Sequence, residues 1–103
     1  MDTAIFKIWL IKNGNSPKIA SDTICRLKKL DRALIESPIS SSVNSEFNKD
    51  NCENLLKCFS KNGENQIMDY FKLYSLPIGK RYIHTYKLSL TKYILFKKEF
   101  PIG

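Results

Sequence analysis

Apolar residues recur along this chain at spacings of three and four rather than two, which predicts helices and no sustained strand. Over residues 3–12, Ile5, Ile8, Trp9 and Lys12 fall on neighbouring turns, with Phe6 and Leu10 widening the apolar stripe. Asn13-Gly14 ends that helix, since glycine accepts the left-handed conformation just past a helix C-terminus. Ser16-Pro17 restarts the chain: Ser16 can cap the next helix, and Pro17 sits where a missing N–H costs nothing. From residue 17 to about 35, Ala20, Ile24, Leu27, Leu30 and Leu34 form the apolar face, with Thr23 beside it. Lys18, Asp22, Arg26, Lys29 and Arg32 lie opposite, and Pro38 stops the helix.

Residues 37–50 are rich in serine and asparagine and read as an exposed loop that Val43 or Phe47 can tack to the core. A third helix is predicted over about 51–61 on Cys52, Leu55, Leu56 and Phe59, ended by Asn62-Gly63. A fourth element over about 65–73 uses Ile67, Met68, Phe71 and Tyr74, and Leu76-Pro77-Ile78-Gly79 breaks it. The last helix, over about 80–98, aligns Ile83, Tyr86, Leu90, Tyr93 and Ile94. Lys80, Arg81, His84, Lys87, Lys92, Lys97 and Lys98 supply its polar remainder. The expected fold is all-α, a small bundle of four to five helices in one domain spanning residues 1–103.

Charge sharpens this picture. Seventeen Lys and Arg face ten Asp and Glu, a net charge of +7. The excess is uneven: residues 37–69 carry three basic and five acidic groups, whereas residues 70–103 carry seven basic and one acidic. A directional basic surface of this kind points to an anionic partner such as nucleic acid, an acidic protein or anionic lipid, as expected of a phosphate-facing element. Lys7 and Lys12 break the apolar run a signal peptide needs, and no run approaches the roughly 18–20 apolar residues of a spanning helix. A soluble, cytoplasmic protein without a membrane partner is therefore expected.

The candidate chemistry is sparse. Cys25, Cys52, Cys58 and His84 could formally ligate zinc, but no Cys-x-x-Cys occurs, and Cys52 and Cys58 stand six apart on different sides of a helix. Cys52 reads as core and Cys58 as an edge residue. No phosphate loop, dinucleotide fingerprint or oriented Cys–His pair is present, so no cofactor, small-molecule substrate or catalytic residue is assigned. Tyr86 and Tyr93 fit the apolar stripe, and Trp9 reads as an anchor between the first helix and the bundle rather than a stacking platform for bases.

Phe6-x-x-Trp9-Leu10, then Gly14-x-Ser16-Pro17-Lys18-x-Ala20-Ser21-Asp22, then Arg26-Leu27-x-x-Leu30, with Tyr93-Ile94-Leu95-Phe96 near the end, resembles the core-binding domain of tyrosine recombinases and phage integrases. The resemblance spans most of the chain if residues 37–50 are an insertion. It implies a SAM-like helical bundle that clamps one face of duplex DNA. It also implies contacts from the Ser16–Lys18 helix start, the Asp22–Arg26–Lys29 row and the basic last helix. The recombinase catalytic domain is absent, and Arg81-x-x-His84 reverses that family's motif order, so a non-enzymatic binding module is expected. The candidate DNA contacts are Ser16, Lys18, Arg26, Lys29, Lys80, Arg81, His84 and Lys87, with Arg26 the base reader because a guanidinium binds guanine edges bidentately. The alternative expectation is a small protein-interaction module or inhibitor of a nucleic-acid enzyme from a mobile element, seated in an acidic groove of a protein partner.

Overall fold

The computed structural model describes residues 3–60, 66–71, 73 and 80–99, with the backbone alone at 68–70 and 80–82. Six helical segments run through them: α1 (Thr3–Lys12), α2 (Pro17–Glu36), α3 (Val43–Asp50), α4 (Glu53–Lys57), α5 (Gln66–Phe71) and α6 (Lys80–Glu99). The fold is all-α, and no strand occurs among the described residues. Asn62-Gly63, the 76–79 break and the side chains of Met68, Lys80 and Arg81 lie outside them.

α2 is built as its sequence dictates. The Ser16 hydroxyl accepts from the Ile19 amide at 3.2 Å, and Pro17 takes the first helical turn. Ala20, Ile24, Leu27, Leu30 and Leu34 are all buried, joined by Thr23, whose hydroxyl is satisfied by the Ile19 carbonyl. Ser16→Ala is expected to cost about 1 kcal/mol in a denaturant titration, the usual worth of an N-cap hydroxyl. α2 packs on both α1 and α6, and the buried face of α6 (Ile83, Tyr86, Leu90, Tyr93, Ile94, with Phe96) closes the core.

Three expectations are corrected. On α1 the buried pair is Phe6 and Leu10, with Trp9 half-buried, whereas Ile5 and Ile8 point outward. That helix is apolar nearly all round, so its period does not select a face, and the aromatic side winds up inside because it covers more surface. The 37–50 stretch is not merely a loop, because its second half is α3. Ser42 caps it through the Ser45 amide at 3.0 Å, and Asp31 on α2 accepts from the Val43 amide at 2.9 Å, which buries Val43. The expected 51–61 helix is likewise shortened to α4. Asn51 and Cys52 both adopt the left-handed conformation, with φ of 58° and 63°, and this corner separates α3 from α4.

An aromatic cluster locks α1 to α6. Phe6 lies 5.0 Å from Phe96 and 5.4 Å from Tyr93 between ring centroids. Trp9 packs on Phe6 and Phe96 and donates its indole N–H to Glu99 at 2.7 Å. Trp9 is thus the anchor its position suggests. Tyr93 is core, and its hydroxyl donates to Asn44 at 2.6 Å, tying α6 to α3.

Candidate nucleic-acid interface

The start of α2 is where separate elements converge. Pro17 has no N–H, the Ile19 amide is taken by Ser16 Oγ and the Ala20 amide by the Ser16 carbonyl. The Lys18 amide is left as the first-turn donor that neither cap nor helix ladder uses. Asn15, one residue before the cap, is fixed in turn: its side-chain amide donates to the Leu10 carbonyl at 2.9 Å. Its oxygen accepts from Lys92 Nζ at 2.7 Å. A lysine of the last helix is therefore pinned to Asn15, the residue just before the Ser16 cap.

The other expected contacts are placed less tightly. Lys29 is exposed and Arg26 partly so, both one or more turns further along α2. None of Lys18, Arg26, Lys29 and Lys87 forms an ion pair with another described residue. His84 and Lys87 are exposed on the face of α6 turned away from the core, so no contact joins them to the α2 row. Lys97 departs from the solvated face expected of it. It is 9% exposed, and its ammonium sits 5.6 Å from the centroid of the Phe47 ring. Lys92 is not among the contacts the sequence singles out, since only a hydrogen bond across 77 positions brings it to the start of α2.

A cleft of about 520 Å³ between the start of α1 and the second half of α2 is lined by Thr3, Lys28, Asp31, Arg32, Ile35 and Glu36. Its two cations are balanced by two carboxylates, so it has no net preference for an anion.

Two of the three cysteines are buried thiols. Cys58 is fully buried, not an edge residue, and burial pushes its thiol up to about 12. Cys52 is also pushed up to about 12, by burial first and then by Asp50 and Glu46, and its thiol donates to the Val43 carbonyl at 3.6 Å. Only Cys25 is exposed. Alkylation of the folded protein at neutral pH should therefore modify one thiol of three, with the other two reacting only in denaturant; fast modification of all three would contradict this burial. Because both folded thiols titrate above the ordinary value of 9.0, their contribution to stability is complete below pH 9 and is lost as pH rises toward 12.

Among the described residues no three His, Cys, Asp or Glu side chains are grouped so as to hold a metal ion, and no helix is long and apolar enough to cross a membrane. No family model, curated protein or solved structure matches the chain.

Proposed function

We propose that this chain is a non-enzymatic, cytoplasmic DNA-binding module of the kind the recombinase core-binding resemblance implies, contacting duplex DNA through the start and outer face of α2 with help from α6. The observation that carries the reading is the Lys92–Asn15 hydrogen bond, which sets a cation of the basic last helix against the helix start where the sequence expects a phosphate. A helix N-terminus offers amide hydrogens and a positive dipole end, and pinned cations beside it suit a phosphate oxygen. That none of Lys18, Arg26 and Lys29 is held in an ion pair by another described residue supports the same reading, because those cations then stay available to phosphate oxygens.

The centre of contact is then the α1–α2 junction, with Arg26 and Lys29 extending it along α2. His84 and Lys87 reach a duplex only at the far edge of this footprint, or take part in contacts with a second stretch of DNA. With four to six phosphates engaged, log K should fall against log salt concentration with a slope of about −4 to −5. A salt-titrated binding assay with duplex, single-stranded and structured nucleic acids tests this. Duplex preference with that slope supports the reading; binding indifferent to salt, or no duplex binding at low salt, overturns it.

A further inference from the structure

We infer that the cavity between α3, α4 and α5 is a small-molecule site for a guanine base, with Glu46 meeting its N–H edge and Lys49 its acceptor edge, independent of the DNA reading. The cavity has a volume of about 300 Å³ and is lined by Glu46, Lys49, Asn54, Gln66, Ile67 and Phe71. That is the small end of ligand pockets, with room for a single ring system. Glu46 is the residue that points to an occupant. It is 6% exposed, yet its side chain accepts one hydrogen bond, from the Ser41 hydroxyl to Oε2 at 2.6 Å. No donor among the described residues meets Oε1, and Lys49, one turn along α3, forms no ion pair with it. Oε1 is not sealed inside the protein, as Asp50 Oδ1 is, so it opens onto the cavities that Glu46 lines. A buried carboxylate is ordinarily met by a cation or by several N–H donors, because a single hydroxyl does not offset its lost hydration.

The lining selects the occupant. A second cavity on Glu46, of about 250 Å³, is walled by Ser40, Ser41 and Ser45 with Ile39 alone as an apolar side, and it offers no aromatic face. The α3–α5 cavity instead sets Ile67 and Phe71 opposite a few directional polar groups, the arrangement that holds a flat heterocycle. A carboxylate has about four lone-pair sites, of which Ser41 takes one, so Glu46 is free to accept from two adjacent N–H donors. Guanine presents such donors side by side, on its ring nitrogen and its 2-amino group. Adenine places a bare ring nitrogen at that edge, an acceptor turned against the carboxylate. Lys49 then meets the O6 and N7 acceptors on the adjoining edge of guanine, the pair that lysine and arginine read in duplexes. A simple ammonium ion would satisfy Glu46 but leave the Ile67 and Phe71 wall uncovered.

The test is an NMR titration of the full chain with guanosine, inosine and adenosine, each to millimolar concentration. Guanosine should shift the side-chain amide signals of Asn54 and Gln66 and the methyl signals of Ile67. It should bind about 10-fold more tightly than inosine, which lacks the 2-amino donor, and adenosine should bind more weakly still. Glu46→Gln should weaken guanosine by about 10-fold or more. Since Glu46 also bonds Ser41, its replacement can loosen α3, so the nucleoside series on the unaltered chain decides regardless. Lys49 is exposed, and Lys49→Gln should weaken guanosine several-fold with the far-UV spectrum unchanged. No shifts at these signals with guanosine, equal affinity for adenosine, the same response to methylammonium, or unaltered guanosine binding in Lys49→Gln would each overturn the inference.

Discussion

Replacing Phe6 with alanine is expected to lower the free energy of unfolding by about 3–5 kcal/mol, the cost of emptying a large aromatic site in a core that relaxes only in part. Phe6 is fully buried and touches Trp9, Tyr93 and Phe96, so its ring is the shared surface on which α1 meets α6. A domain of this size has roughly 5–15 kcal/mol in all, so the loss removes a large share of it. The same substitution two residues on, Ile8→Ala, removes a side chain that is mostly solvated and should change stability by less than about 0.5 kcal/mol. Urea titration of the two variants reads the contrast. Similar midpoints would mean that the aromatic face of α1 is not the one that holds the bundle together.

The second large effect concerns binding. Lys12 ends α1, Lys18 starts α2, and Lys92 of α6 is tied to Asn15 in the connection between them. If each neutralises one phosphate, replacing all three with glutamine should reduce the steepness of the salt dependence by about 3 and weaken duplex binding on the order of 100-fold at 0.1 M salt. The loss should be the same for every sequence, because phosphate contacts carry no base information. Arg26→Ala should behave differently, with a small loss of affinity and a larger loss of discrimination between sequences. A competition assay at two salt concentrations separates these outcomes. An unchanged salt slope in the triple variant would move the footprint away from the junction.

How far the molecule was legible in its sequence differs from helix to helix. α2 was legible to within a residue or two, because a strong amphipathic period, a serine cap, a proline at the first turn and a downstream proline agree with one another. α6 was legible for similar reasons, although Lys97 turned inward where its aliphatic stem could lie over Phe47. α3 was not, because its eight residues are poor helix formers whose apolar contacts are few. It forms because Asp31 meets its first amide and Val43 finds a place in the core. The corner at Asn51 and Cys52 was equally hidden, since nothing local demands left-handed backbone at a cysteine; packing of Cys52 against α3 holds it there.

Local rules therefore determined that the chain is helical, where its longest helices run, and that its basic residues concentrate on α2 and at the C-terminal end. Periodicity and capping act over a few residues and are complete before any helix meets another. Which side of α1 enters the core, whether residues 43–50 coil or turn helical, and which lysine bonds Asn15 were decided only on packing. Each depends on surface and hydrogen bonds supplied by residues distant in the chain, as with Lys92 and Asn15, and no spacing within a single helix encodes such a meeting.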